Sequence, residues 1–210
     1  MTTEKKDDAV TKQDAAKTIL KDNPSNYKTI FMANGLLSFA DGIYYPFFIV
    51  FLHTVGDIFL IGGGLGLLII FGSLGNYFAG KWADKYGKKP FLLLISVISV
   101  AIFMAYPLLP LLETADHSLM FLVLITILFI DGIASGVWQT VEAAYLGDIT
   151  SKASRGSKMG SYWGVSGFVS GAAMIGAGFL GVHIDFLTAA VVASSIYLSG
   201  FFLLLRVKEM

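Results

Sequence analysis

The chain has 210 residues, of which 55% are hydrophobic and 14% charged, and its 15 basic and 15 acidic side chains give zero formal net charge. Soluble domains carry about 25% charged residues, so this composition excludes an ordinary water-soluble surface, and nothing in it favours binding of nucleic acid. The mean hydropathy of +0.71 predicts a helical protein of the lipid bilayer. Because the chain contains no cysteine, it has no disulfides or thiolate metal sites, and we expect no metal and no cofactor.

Residues 1–27 are polar and contain no apolar run of signal-peptide length, so we expect a polar cytoplasmic tail. Residues 28–210 contain six apolar runs near the roughly 20-residue length that crosses a bilayer. The predicted fold class is therefore all-α, a polytopic bundle of six transmembrane helices. In chain order the expected spans are Lys28–His53, Ile58–Trp82, Pro90–Glu113, Ser118–Leu146, Met159–Gly181 and Phe186–Leu205.

The basic residues lie on one side of these spans. Every Lys and Arg lies in or beside the tail, between spans 2 and 3, between spans 4 and 5, or after span 6. The other three loops contain no Lys or Arg and hold all three histidines. Since cytoplasmic loops carry the excess of basic residues, we expect a multi-pass protein of the cell membrane with both termini in the cytoplasm.

The turn between spans 2 and 3 reads GKWADKYGKKP over residues 80–90. Its glycines permit a sharp turn, its aspartate can accept hydrogen bonds from a helix N-terminus, and its lysines favour the anionic cytoplasmic leaflet. The ordered Gly, Asp and Gly positions resemble the loop between helices 2 and 3 of the major facilitator superfamily. The residues interpreted as a gating motif on this resemblance are Gly80, Asp84, Lys85, Gly87, Lys88 and Lys89, together with Asp148 and Arg155 after span 4.

The resemblance implies a secondary active transporter that works by alternating access. Such proteins usually have twelve helices in two six-helix halves, and this chain resembles the N-terminal half. We therefore expect it to act as a homodimer or with a separate partner half. The alternative is an orphan or truncated half, or an assembly subunit without transport activity. We expect no enzyme, because no histidine lies in the interior of a span and the chain contains no Gly-x-Ser-x-Gly or His-Glu-x-x-His motif.

Two acids, Asp41 and Asp131, lie near the middle of spans 1 and 4. A charged residue at the bilayer centre costs about 2.5–3.5 kcal/mol on insertion scales and normally faces a functional cavity. Spacings of four, three and four residues place further polar side chains on the same helical face as each acid. The predicted solute- or proton-binding residues are Asn34, Ser38, Asp41 and Tyr45 on span 1 and Asp131, Ser135, Trp138 and Glu142 on span 4.

Apart from Lys28 and Lys81 at the ends of spans 1 and 2, the spans contain no Lys or Arg to neutralise these acids. An acidic and aromatic cavity favours a small cationic or neutral solute. We hypothesise that Asp41, Asp131 or both carry protons or hold a cationic group, which would make the protein a proton-coupled symporter or antiporter. The alternative is a protonated aspartate that is hydrogen-bonded between helices.

Spans 2 and 5 carry stripes of small residues, which let helices approach closely in lipid. In the resembled family the corresponding helices meet across the two halves, so we expect an interface with a second unit. Packing within a single bundle is the alternative. The predicted interface residues are Gly62, Gly66, Gly160, Gly164, Gly167 and Gly171.

Overall fold

The computed structural model describes residues 23–113, 117–181 and 183–208. Most of the predicted tail therefore lies outside the described residues. Within them, six helices are long and apolar enough to cross a membrane, which confirms the all-α six-helix bundle. Their bounds are α1 Pro24–Gly56, α2 Leu60–Tyr86, α3 Lys89–Ala105, α4 His117–Ile149, α5 Arg155–Leu180 and α6 Phe186–Leu204.

Helix α1 begins at Pro24, ahead of the expected start at Lys28. The Asn23 side chain accepts a hydrogen bond from the backbone N–H of Asn26 at 3.1 Å and caps the helix. Pro24 occupies the first turn, where its missing N–H needs no partner. The local sequence therefore extends α1 beyond its apolar run.

Helices α1 and α2 follow each other without the loop that the sequence predicts. Helical structure continues from Pro24 to Tyr86, yet the chain reverses direction. A Cβ atom placed on Gly64 would lie 3.3 Å from Leu52 Cδ1, whereas twelve residues of straight helix span about 18 Å. The reversal packs the start of α2 against the end of α1.

The third span is interrupted where the sequence predicts a continuous helix to Glu113. A 3₁₀ turn, Tyr106–Leu108, follows α3, and a short helix covers Pro110–Glu113. Pro107 and Pro110 lack the N–H group that would continue the α-helical hydrogen bonds. The interruption leaves the Tyr106 side chain fully buried in the bundle.

Close helix crossings hold the bundle together at a few glycines. A Cβ atom on Gly42 of α1 would clash with the Ser170 carbonyl of α5, and one on Gly136 of α4 with the Gly72 carbonyl of α2. A Cβ atom on Gly200 of α6 would lie 2.8 Å from the Leu37 side chain of α1. Backbone-to-backbone contact of this kind is possible only where the side chain is a hydrogen atom.

The start of α1, the segment that follows α6 and the two basic connections meet at one end of the bundle. Polar contacts join these four segments, so the Lys and Arg residues of the described ranges share this end, as the loop pattern predicts. The contacts are Asn23 N to Ile149 O at 3.0 Å, Asn26 Nδ2 to Lys208 O at 2.9 Å, Lys89 Nζ to Leu205 O at 2.9 Å and Tyr27 Oη to Lys158 O at 2.9 Å.

Candidate functional site

A cavity of about 570 Å³ opens in the middle of the bundle and is bounded by α1, α2, α3, α4 and α6. The polar stripes predicted on α1 and α4 face this space from two sides. Among the residues that the structure describes, no Lys, Arg or His lines this cavity. The predicted binding residues on its wall are Asn34, Asp41, Tyr45, Asp131, Ser135 and Trp138.

Two further residues of the predicted set, Ser38 and Glu142, are absent from the cavity wall. Glu142 is buried between α4 and α5, and its Oε1 accepts a hydrogen bond from Tyr162 Oη at 2.5 Å. Glu142 therefore joins two helices behind the cavity.

The two carboxyl groups of the cavity have different surroundings. Asp131 is half-buried, and its Oδ2 accepts a hydrogen bond from Tyr106 Oη at 3.0 Å. Asp41 is exposed to the cavity and has no hydrogen bond or ion pair with any residue in the described part of the chain. The cavity thus holds one partnered and one unpartnered carboxyl.

The sequence analysis missed the contributions of α2, α3 and α6 to the wall. Ser73 and Asn76 belong to the small-residue stripe of span 2, yet they line the cavity. Asn76 Oδ1 also accepts a hydrogen bond from Thr140 Oγ1 on α4 at 2.8 Å. Polar residues inside apolar spans were the available signal, but helix rotation decides which of them face inward. The polar residues and aromatic rings that were missed are Tyr44, Phe48, Ser73, Asn76, Ser99, Phe103, Gln139 and Tyr197.

The gating-motif residues occupy the basic end of the bundle. Gly87 lies between α2 and α3 with φ of 86° and ψ of 162°, a conformation almost confined to glycine. Lys88 Nζ forms an ion pair with Asp148 Oδ2 and so ties this turn to the end of α4. Arg155 donates a hydrogen bond to the Gly147 carbonyl at 2.6 Å, also at the C-terminal end of α4.

Three other residues of the motif, Asp84, Lys85 and Gly80, do not tie the turn to another of the described helices. Asp84 is exposed and has no hydrogen bond or ion pair with the residues that the structure describes. Lys85 lies over the ring of its neighbour Tyr86 at 4.9 Å. A Cβ atom on Gly80 would have no neighbour within 4 Å. The aspartate and this glycine are therefore available to a second molecule.

The glycines predicted as an interface do not pack inside the bundle. A Cβ atom placed on any of them would meet nothing within 4 Å. Helices α2 and α5, which carry them, are also the least covered: 11% of the most apolar window of each is buried, against 33–44% in the other four. These outward-facing glycines are Gly62, Gly66, Gly160, Gly164, Gly167 and Gly171.

Comparison with protein families decides the identity of this bundle. The model of the Major Facilitator Superfamily matches residues 30–209. The chain belongs to the major facilitator superfamily. Members of this superfamily are transporters that bind small solutes within a lipid membrane. Comparisons with curated proteins and with solved structures found no match.

Proposed function

We propose that this major facilitator chain is a six-helix unit of a secondary active transporter that moves a small cationic or neutral solute. Transport is coupled to protons and proceeds by alternating access. The observation that carries the proposal is the central cavity, which contains two carboxyl groups and no basic residue among its lining side chains. Its negative charge attracts cations, and its carboxyl groups are able to bind and release protons.

The unit works together with a second one, either another copy of this chain or a partner half. The outward-facing glycines of α2 and α5 support this, because in lipid such residues permit close helix contact. Asp84 adds a polar contact, since an exposed carboxylate can accept bonds from the N-terminus of a helix in the second unit. The two units would then enclose the cavity from opposite sides.

The protein lies in the cell membrane with its basic end in the cytoplasm. The structure brings the two basic connections and the C-terminal segment to the same end as the start of α1. Cytoplasmic loops carry the excess of Lys and Arg, and anionic lipids of that leaflet attract them. Both termini are therefore cytoplasmic.

The transport proposal is tested in liposomes that contain the purified protein and a trapped pH-sensitive dye. A pH gradient is imposed, and benzyltrimethylammonium is added as a cationic probe or mannitol as a neutral one. The wild-type protein should move protons when one of these solutes is added, and a double variant with Asp41→Asn and Asp131→Asn should not. Solute-independent proton movement, or equal flux in the double variant, would contradict coupled transport and favour a subunit without transport activity.

Pairing of two units is tested by cysteine crosslinking, since the chain has no native cysteine. One tagged copy carries Gly66→Cys on α2 and a differently tagged copy carries Gly164→Cys on α5. We expect a crosslink between the two copies. The matched control pair, Leu94→Cys on α3 and Val192→Cys on α6, is also exposed but lies off the proposed interface. Crosslinking that is equal in both pairs would refute a specific homodimer.

A further inference from the structure

We propose that the two carboxyl groups of the cavity have separate roles, an inference that rests on the proposed transport function. Asp41, together with the ring of Tyr45, holds the positively charged ammonium group of the solute. Asp131, together with the hydroxyl groups of Tyr106 and Tyr44, holds the coupling proton. The solute class is thus an organic cation with an ammonium centre.

The assignment of Asp41 follows from its accessibility and its lack of a partner. Both oxygens of its carboxyl group are open to a ligand, because no described residue bonds to them and the side chain is exposed in the cavity. Tyr45 lies one helical turn away, about 6 Å along the axis of α1. Its side chain is 42% exposed and lines the same cavity.

A carboxylate beside an accessible aromatic ring suits an ammonium ion. The carboxylate supplies charge attraction, and the ring face supplies cation–π attraction, the interaction by which proteins recognise quaternary ammonium groups. The Phe48 ring lies 6.2 Å from the Tyr45 ring, centroid to centroid, and extends this aromatic wall. A hydrated inorganic cation would gain less from such a wall, because its ligands are oxygen atoms.

The assignment of Asp131 follows from its fixed hydrogen bond. Tyr106 is fully buried and donates to Asp131 Oδ2 at 3.0 Å, so one carboxyl oxygen is already occupied by the protein. One acceptor position of this carboxyl is therefore already used by the protein, whereas all those of Asp41 are free of described partners, which makes Asp41 the more available carboxyl for an ammonium group. The carboxyl group can nevertheless exchange a proton with the cavity, because Asp131 forms part of the wall.

Tyr44 supplies the second observation at the Asp131 site. Its side chain is 5% exposed and lines the cavity, yet its hydroxyl has no hydrogen-bond partner among the described residues. A buried hydroxyl without a partner is destabilising, because it has lost its bonds to water. Asp131 lines the same cavity. When Asp131 releases its proton to cavity water, the carboxylate gains a second donor if the Tyr44 hydroxyl turns toward it.

The other charged or titratable groups that face Asp131 are few. Asp41 lies across the cavity on α1, and Tyr197 lies on α6. Glu142 lies along α4 but bonds to Tyr162. No Lys or Arg lines the cavity, so protonation of Asp131 changes the net charge that an ammonium group on Asp41 experiences.

Binding of the probe benzyltrimethylammonium, whose charge is independent of pH, tests the assignment by calorimetry on the purified chain. We expect Asp41→Asn to weaken binding by about tenfold or more at every pH. Asp131→Asn should bind within about threefold of wild type at neutral pH and lose the part of the pH dependence that Asp131 contributes, while the part due to Asp41 remains. Tyr45→Leu should weaken binding about three- to thirtyfold, whereas Tyr45→Phe keeps the ring and the affinity.

Infrared difference spectra between acidic and neutral pH test the proton site without a solute. The carboxyl band of each aspartate is identified by its loss in the matching variant, Asp131→Asn or Asp41→Asn. Tyr106→Phe should shift the Asp131 band and leave the Asp41 band unchanged. Tyr44→Phe should shift only the carboxylate band of the ionised Asp131. Circular dichroism and gel filtration confirm that each variant is folded.

Several outcomes would overturn the assignment. These are loss of probe binding in Asp131→Asn with binding retained in Asp41→Asn, a shift of the Asp41 band in Tyr106→Phe, and failure of the folded wild type to bind the probe. Each would leave the transport proposal standing, because that proposal fails on the absence of solute-dependent proton flux in liposomes.

Discussion

Replacement of Gly136 by alanine should destabilise the bundle, whereas the same replacement of Gly164 should not. At Gly136 the new methyl group would lie 2.8 Å from the carbonyl carbon of Gly72 and 2.9 Å from the backbone nitrogen of Asn76. These are backbone atoms of α2 and cannot rotate away, so α2 and α4 must separate. Overpacking of this kind costs about 1–3 kcal/mol.

Thermal unfolding in mild detergent measures this effect. For a chain of this size, 1–3 kcal/mol corresponds to a fall in Tm of about 2–12 °C. The methyl group on Gly164 would meet nothing within 4 Å, so the Tm of the Gly164→Ala variant in monomeric form should not fall. An unchanged Tm for Gly136→Ala, or an equal fall for both variants, would refute the close crossing of α2 and α4.

Three further predictions concern single side chains. Gly87→Ala should lower stability by about 1–3 kcal/mol, because its backbone conformation is strained for any residue with a Cβ atom. Tyr162→Phe should lower stability by about 1–3 kcal/mol, because buried Glu142 loses a donor. Asp185→Ala should speed amide exchange at the start of α6, because the carboxylate accepts a bond from Thr188 N at 2.9 Å. Hydrogen bonding from Thr188, first from its side chain and then from its backbone N–H, lowers the pKa of Asp185. The stabilisation is therefore present above the ordinary pKa of about 3.9 and is lost as pH falls through the lowered value.

Each of these predictions has a matched control. Gly80→Ala adds the same methyl group to open space in α2, and a Tm loss equal to that of Gly87→Ala would contradict backbone strain. The effect of Tyr162→Phe should shrink in a Glu142→Gln background, so additive losses would exclude a direct pairing. Asp185→Asn keeps an acceptor but does not titrate, and any remaining acid dependence of exchange at α6 would have another source.

The membrane class and helix number were predictable from the sequence because they depend on composition and run length. Positions of the helix ends were harder, since local chemistry competes with hydrophobicity. Asn23 and Pro24 start α1 within a polar segment, and Pro107 and Pro110 end α3 inside an apolar one. Hydropathy reports the cost of insertion into lipid, whereas helix ends depend on caps and missing N–H groups.

The candidate site was predictable only where two helices carried a clear polar stripe. Asp41 and Asp131 were found because an acid inside a span is costly. Asn76 and Tyr197 were missed, since a polar residue on one helix does not reveal which way that helix is rotated. Glu142 follows the stripe of α4, yet the packing of α5 places Tyr162 against it and removes it from the wall.

The sequence by itself determined that this protein is a bundle of apolar helices with acids in two spans and its basic residues at one end. Periodicity and run length depend only on consecutive residues, so they can be read without knowing how the helices pack against one another. Tertiary structure alone decided which glycines pack inside the bundle and which face outward, and which carboxyl group acquires a tyrosine partner. Those outcomes depend on the rotation and crossing of helices, which arise from the simultaneous packing of segments far apart in the chain.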